Sequence, residues 1–124
     1  MSVFYYQSTI LRIGDEAAEL IDGGVLILFG EPLPGDLESL SVVHEPAGVP
    51  SEELRAGDEL WLGGTRLVLT AVGERAHENL RTLGHLVVYT DTSGDLLPGA
   101  VHAAGTLGVP AAGTEIRLAR AERT

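Results

Sequence analysis

The chain has 124 residues, of which 44% are apolar, and this suits a single globular domain spanning residues 1–124. Its 18 acidic residues outnumber eight arginines, lysine is absent and the formal charge is −10, so a nucleic-acid partner is not expected. The absence of cysteine excludes disulfides and thiolate metal sites.

The first twenty residues do not resemble a targeting segment. They contain no basic stretch followed by a long apolar run, as a signal peptide would. No segment approaches the roughly 20 apolar residues that a membrane span needs. The expected location is therefore the cytoplasm.

Short apolar runs, separated by glycine and proline, fill the first half of the chain. Residues 3–13 are predicted to form a strand, and the continuous apolar run 24–29 predicts a strand covered on both faces. Residues 15–21 fit either one helical turn or an irregular connection, and 31–36 fit a loop. Residues 40–45 are a further candidate strand.

A hairpin and a helix are the clearest elements of the second half. Two strand-like runs within 58–73 flank Gly63-Gly64, a pair suited to the positive φ of a tight hairpin turn. Residues 74–84 predict a helix, with Ala76, Leu80 and Leu83 on one face. Gly84 then suits the left-handed residue that ends a helix.

Three more strands are predicted over 85–90, 100–107 and 114–121, the last of them as an edge strand. The fold class is therefore mainly β. About seven strands and one short helix predict a small closed or nearly closed barrel, because closure removes exposed strand edges.

His44 stands where a predicted strand meets a loop rich in proline and glycine. In an extended strand Leu40, Val42 and His44 share one face, so the ring could simply pack in the core. A residue at a strand end beside a loop could equally present its ring to a partner. Periodicity leaves both interpretations open.

Each of the other histidines, considered on its own, is expected to have a structural role; they are His77, His85 and His102. His85 and His102 lie at or within apolar strands, and His77 lies on the helix, where it is expected to be solvated. A metal site at His44, His85 and His102 is an alternative, but no paired metal-binding motif supports it. Motifs typical of a hydrolase triad, a nucleotide-binding lysine loop or a dinucleotide fold are also missing.

Phosphoryl carriage is a chemistry that needs one histidine and no cofactor. A neutral imidazole nitrogen is a competent nucleophile near neutral pH, because its reference pKa is about 6.5. The reacting ring must be exposed, neutral and oriented through its other nitrogen. A second histidine nearby could donate to the phosphoryl oxygens. Pattern alone does not select this option.

Several segments together resemble the IIA component of the glucitol/sorbitol-specific phosphotransferase system. The resemblance covers nearly the whole chain. It rests on YQSTILRIG (6–14), VVHEPAG (42–48), GDELWLGGTRLVLTAVG (57–73), NLRTLGHLVVY (79–89) and PGAVHAAG (98–105). The combination of TAVG and NLRTLGH followed by PGAVH is the specific part of the pattern.

The resemblance implies a cytoplasmic phosphoryl carrier with a small β-barrel fold. Such a carrier accepts a phosphoryl group from phospho-HPr and passes it to the IIB component of the IIB/IIC membrane transporter, without binding the sugar itself. The family's phosphorylated histidine falls on His44. His85 and His102 fall on motif positions too, and we expect them to neighbour the phosphoryl group or to orient His44.

Two other functions remain open at this point. A barrel of the same fold could bind a ligand or a regulator without being phosphorylated. A histidine metal site in a small barrel is the other hypothesis. No cofactor is expected for the carrier. Glu45, Glu52, Glu53 and Asp58 are acidic residues that could complement a basic partner, although ordinary loop acids would look the same.

Overall fold

The computed structural model describes residues 3–120, which form a closed barrel of eight strands. Their bounds in chain order are β1 Val3–Ile13, β2 Val25–Phe29, β3 Val42–Pro46, β4 Glu59–Leu62, β5 Thr65–Val72, β6 Leu86–Tyr89, β7 Ala100–Ala104 and β8 Glu115–Arg120. The prediction of a small closed barrel is confirmed, with eight strands in place of about seven.

Around the barrel the strands run in the order β1-β3-β2-β6-β7-β5-β4-β8, and β8 pairs with β1 to close the ring. The pairs β2/β3 and β6/β7 are parallel, and the other six are antiparallel. The expectation that residues 114–121 form an edge strand is wrong for the described part of that range. Strand β8 bonds to β4 on one side and to β1 on the other, so it has no free edge.

The hairpin is confirmed, with Leu62 paired to Thr65 across the two-residue turn. Gly63 has φ of +59°, whereas Gly64 is not in the positive-φ region. A positive φ at the first central position alone is typical of a type II′ turn, whose twist matches that of the flanking strands. Glycine is therefore required at the first position of the pair.

Two α-helices and one 3₁₀ helix connect the strands. Helix α1 is Ala17–Asp22, so the region 15–21 contains a helical turn, and it packs against β2. The 3₁₀ helix is Gly35–Leu40, just before β3. Helix α2, Ala76–Leu83, confirms the helix predicted over 74–84, and Gly84 ends it with φ of +67°.

Alternating side chains fill the barrel interior. Aliphatic residues from seven strands are almost fully buried there: Ile10, Leu26, Leu28, Val42, Leu60, Leu67, Leu69, Leu86, Ile116 and Leu118, with Val101 and Ala103 of β7. Burial of these side chains provides the main stabilisation of the barrel. On α2, Ala76 and Leu80 face this core as predicted, but Leu83 is 53% exposed.

Among the described residues no helix is long and apolar enough to cross a membrane.

The end of β5 makes a close backbone approach that only glycine permits. A Cβ on Gly73 would overlap the carbonyl oxygens of Leu97 and Pro98 and would lie 2.7 Å from that of Ala100. We expect Gly73→Ala to lower the free energy of unfolding by about 2–3 kcal/mol, because the obstructing atoms belong to the backbone and cannot turn away. Urea denaturation provides the measurement.

Gly64→Ala is the matched control, since nothing lies within 4 Å of a Cβ built there. Its stability should stay within about 0.5 kcal/mol of the wild type. Equal effects of the two substitutions would contradict the steric explanation.

Candidate functional site

His44 lies in β3, whose last residues reach one end of the barrel. Strand β3 pairs with β1 through Ile10 and His44, and it runs parallel to β2, which ends at Phe29. The His44 side chain points inward, as expected from its alternation with Val42, and it is 0% exposed. The strand thus places an imidazole inside the barrel, close to its end.

Both ring nitrogens of His44 make short hydrogen bonds. Nδ1 lies 2.7 Å from the Ser8 hydroxyl oxygen, and Nε2 lies 2.6 Å from the main-chain oxygen of Gly84. Ser8 belongs to the same inward face of β1 as Ile10, two residues away, so the register makes it a diagonal neighbour of His44. Gly84 follows helix α2. The ring is therefore held between β1 and the end of α2.

The partners of the ring determine its tautomer. A carbonyl oxygen only accepts, so Nε2 carries a proton and donates it to Gly84. Burial lowers the pKa of His44 below its usual value, an effect that the Gly84 bond opposes but does not cancel. In the neutral ring Nδ1 then has the lone pair, and the Ser8 hydroxyl donates to it. The resting ring is neutral and oriented.

The exposed ring that phosphoryl transfer requires is not found in this conformation. His44 is buried with both nitrogens occupied, which is the arrangement of a satisfied core histidine. Of the two interpretations that the sequence left open, the structure shows the buried one, because a strand end is exposed only if nothing crosses it. Here the chain segment that leaves α2 crosses it, and its Gly84 carbonyl caps the ring.

A groove lies directly outside this cap. Its volume is about 350 Å³, and it is lined by the ends of β2 and β3 with the loops that follow them and by the last turn of α2: Gly30, Glu31, Pro32, Pro46, Gly48, Val49, Leu80, Arg81, Thr82, Leu83 and Gly84. Val49 and Leu83 are strongly exposed. Arg81 is the basic side chain among these lining residues. Gly84, whose carbonyl oxygen accepts from His44 Nε2, is itself one of the residues that line the groove.

Two glycines let the chain come this close. A Cβ on Gly30 would lie 2.9 Å from the Leu83 carbonyl oxygen, and one on Gly84 would lie 3.0 Å from the Gly30 backbone. Such distances are closer than a side chain tolerates. The end of β2 and the end of α2 therefore meet backbone to backbone beside the ring of His44.

His85 follows the capping residue, but its ring turns toward β2. Its ring centroid lies 4.6 Å from that of Phe29, with the planes tilted by 32°. The side chain is half-buried, and burial lowers its pKa. His85 is thus a neighbour of the His44 site along the chain, whereas the groups that orient His44 are Ser8 and Gly84.

His102 is not brought together with His44. It is level with Tyr89 across β6/β7, and Tyr89 is level with Val25 at the start of β2. His44 lies beside the opposite end of β2, past Phe29. Four residues of strand correspond to about 13 Å, so His102 faces the other end of the barrel. There its ring meets the Tyr89 ring edge-on at 6.3 Å.

His77, which was expected to be solvated, is only partly exposed on α2, and its Nδ1 is buried without a partner among the described residues. No group of three or more His, Asp or Glu side chains in residues 3–120 is placed to hold a metal ion.

Two of the acids proposed to face a partner already pair with Arg120: Asp58, which is buried, and Glu52, which stays exposed. Asp58 is buried, accepts from the Tyr5 hydroxyl at 2.8 Å and pairs with Arg120 at 3.2 Å. Burial, followed by the bond to Asp58, raises the pKa of Tyr5. Glu52 also pairs with Arg120, at 2.6 Å. Glu45 and Glu53 remain exposed.

The sequence contained a signal for Ser8 that went unused. Tyr6, Ser8 and Ile10 alternate on the inward face of β1, and all three are buried. A serine within an apolar inward stripe needs a hydrogen-bond partner. No comparable signal existed for Gly84, because a main-chain carbonyl has no side-chain identity to read.

Comparisons with known proteins agree on one family. The family model described as "PTS system glucitol/sorbitol-specific IIA component" matches residues 5–117. Two proteins named "PTS system glucitol/sorbitol-specific EIIA component", from Shigella flexneri and Escherichia coli (strain K12), are each 41% identical over 101 residues, which is 81% of this chain and 81% of theirs.

A solved structure has the same fold. "The Crystal Structure of PTS System IIA Component from Enterococcus faecalis V583" superposes with a TM-score of 0.80 at 27% identity, over 89% of this chain and 96% of that one.

The lowered pKa of His44 has a consequence for stability. In the unfolded chain the ring takes up a proton near pH 6.5, whereas in the folded protein it does so only at a lower pH. Between those two values the unfolded state binds more protons, so the free energy of unfolding falls as the pH falls below about 6.5. We expect His44→Gln to weaken this dependence, measured by denaturation between pH 7 and pH 5.

The ring itself can be titrated by NMR, with the peptide 40–50 as an unfolded reference. We expect the His44 signals of the folded protein to titrate at a lower pH than those of the peptide. If the ring of the folded protein titrated at or above the pH at which the peptide titrates, the lowered pKa of His44 would be contradicted.

Proposed function

Because the chain belongs to the glucitol/sorbitol-specific IIA family of the phosphotransferase system, we propose that His44 is the residue on which it carries the phosphoryl group. The protein is a phosphoryl carrier of that system. The observation that supports His44 is the position of its Nε2 atom, one peptide group away from a surface groove. His102 does not share this position, since it faces the other end of the barrel.

Phosphoryl transfer between histidines requires mainly that the protein provide a nucleophile and orient it. Once the ring proton has moved from Nε2 to Nδ1, the lone pair of His44 Nε2 attacks the phosphorus of a donor phosphohistidine, and the P–N bond of the donor breaks with its electron pair going to the donor ring. A neutral His44 is required, since an imidazolium has no free lone pair. Burial, which lowers the pKa of His44, keeps the ring neutral at pH 7.

Transfer requires the Gly84 carbonyl to leave Nε2. The hydrogen bond it accepts is worth about 0.5–1.5 kcal/mol net, which is small beside the several kcal/mol of domain stability. Glycine adopts alternative backbone conformations more readily than other residues, so rotation at Gly84 is the smallest movement that opens the ring to the groove. In this proposal the barrel stays intact while one peptide moves.

Arg81 is the residue placed to meet the phosphoryl charge. Its side chain is exposed, lines the groove and pairs with Glu78 at 3.2 Å. An exposed pair of this kind contributes about 0.5 kcal/mol, so Arg81 exchanges it readily for phosphoryl oxygens. A guanidinium binds such oxygens through paired N–H donors. His85, on the far side of Gly84, is the second group that could reach them once the peptide has moved.

HPr is the proposed donor, and the IIB part of the IIB/IIC transporter is the proposed acceptor. The docking surface is the groove with its exposed apolar rim at Val49 and Leu83. Glu45 lies exposed beside it, and a net charge of −10 favours a partner with basic groups around its histidine. The sugar has no role at this surface.

We expect phosphoenolpyruvate, enzyme I and HPr to add one acid-labile, base-stable phosphoryl group to the wild-type protein. His44→Gln should remove this label completely while the barrel remains folded, because glutamine has no nucleophilic nitrogen. The measurement is intact mass spectrometry with circular dichroism on the same samples.

His102→Gln is the matched control and should be labelled like the wild type. A label that persists in His44→Gln would show that another histidine carries the group, and His85→Gln would then identify it. A wild-type protein that stays unlabelled would instead favour the barrel that retains the fold without transfer.

For Arg81→Gln we expect the rate of phosphorylation to fall about tenfold, the loss typical of one charge-assisted contact to a transferring group. Arg55→Gln is the control, since Arg55 is exposed but does not line the groove. The two rates are compared by rapid quench with the same donor. Equal rates would remove Arg81 from the site.

A further inference from the structure

The Nδ1 side of the His44 ring faces Ser8, whose neighbour on the same inward face of β1 is Tyr6. Ser8 is 1% exposed and Tyr6 is 4% exposed, and the Ser8 hydroxyl contacts Nδ1 of the ring. The Tyr6 hydroxyl, by contrast, is buried and makes no hydrogen bond of ordinary geometry with the described residues. A buried hydroxyl without a partner costs about 1–3 kcal/mol, so its presence calls for a reason.

Tyr6 and Ser8 nevertheless act on each other. Both side chains lie on the inward face of β1, two residues apart. Burial raises the pKa of Tyr6 to about 12, and the nearby Ser8 hydroxyl partly offsets this rise. The two side chains are thus neighbours on one buried face of the strand, and in the resting state the Ser8 proton points at His44 and not at Tyr6.

The resting tautomer is the wrong one for transfer. Nε2 faces the groove but carries the proton, and the lone pair is on Nδ1, which is sealed by Ser8. Attack by Nε2 requires the other tautomer, in which Nδ1 carries the proton. Ser8 must then accept from Nδ1, and its own proton must turn to another acceptor.

We propose that Ser8 and Tyr6 are positioning residues that let His44 change tautomer, with Ser8 accepting from Nδ1 and donating to the Tyr6 hydroxyl. This rests on the proposed role of His44 as the phosphoryl acceptor. When the Gly84 peptide moves, the His44 ring turns toward the groove and both of its nitrogens meet water there. Nε2 releases its proton to that water and Nδ1 takes one from it, so the ring stays neutral and returns with the Nδ1 proton directed at Ser8. Nε2 then attacks phosphorus, the donor P–N bond breaks, and the Nδ1 proton remains on the ring against Ser8.

This arrangement explains why the Tyr6 hydroxyl is unpaired at rest. It is the acceptor that Ser8 needs only after the proton has moved to Nδ1. The Tyr6 hydroxyl thus has a hydrogen-bond partner in the phosphorylated state. The free-energy cost of leaving it unpaired applies to the resting state. The pair favours a protonated Nδ1 beneath a phosphorylated Nε2.

The first test reads the tautomer without any phosphorylation. We expect ¹⁵N NMR of the wild-type protein to show His44 protonated at Nε2 and unprotonated at Nδ1. Ser8→Ala should shift the Nδ1 resonance and slow phosphorylation from HPr about tenfold, because Nδ1 loses its partner. Ser8→Thr, which keeps the hydroxyl, should restore the rate to within about threefold.

The second test separates Tyr6 from a purely structural tyrosine. Tyr6→Phe should leave the stability and the His44 resonances of the unphosphorylated protein unchanged. It should shift the transfer equilibrium about tenfold toward phospho-HPr, because Ser8 then lacks its acceptor. Tyr5→Phe is the control: it breaks a bond to Asp58, so it should lower stability and leave the equilibrium alone.

The outcomes are distinguishable from failure of the proposed function. If the wild type is not labelled on His44, that function is wrong, and the NMR comparison alone decides the role of Ser8. The proposed role of Ser8 and Tyr6 is refuted if Ser8→Ala keeps both the wild-type His44 resonances and the wild-type rate of phosphorylation. It is also refuted if Tyr6→Phe destabilises the resting protein without moving the equilibrium.

Discussion

The hydrogen bond from His44 Nε2 to the Gly84 carbonyl is the contact on which the site depends. It joins a barrel strand to the chain that leaves helix α2, and it fixes the proton on the nitrogen that faces the groove. The same bond orients the ring and blocks it. A histidine held this way is protected from water at rest, and in the proposed transfer the movement of one peptide releases it.

Close backbone packing makes that contact geometrically feasible. Gly30 and Gly84 meet without side chains between them, so the end of α2 sits low enough for its last carbonyl to reach into the barrel. A larger residue at Gly30 would push against the Leu83 carbonyl and lift the cap. Glycines at these positions thus determine the height of the cap, while the barrel determines the position of the ring.

Much of the fold could be predicted from the sequence, and the reasons are local. Alternation located β1 and β3, Gly63-Gly64 located the hairpin, and Gly84 located the end of α2. The pairing of β8 with β1 could not be predicted, because closure depends on contacts between residues more than 100 positions apart. An alternating strand looks the same whether one or both of its edges are paired.

The site was predicted less completely for a related reason. A pattern shows that His44 faces inward, but it does not show what crosses the strand end, and a main-chain cap leaves no trace in residue identity. A family motif also does not show where its residues lie in the barrel: His85 and His102 both fall in such motifs, yet the parallel register of β6 and β7 places His102 at the far end. The inward serine on β1 was the readable signal, since a polar residue in a buried stripe needs a partner across the strands. The partner it has is the ring that is proposed to carry the phosphoryl group, and for this reason Ser8 beside Nδ1 matters as much as the groove outside Gly84.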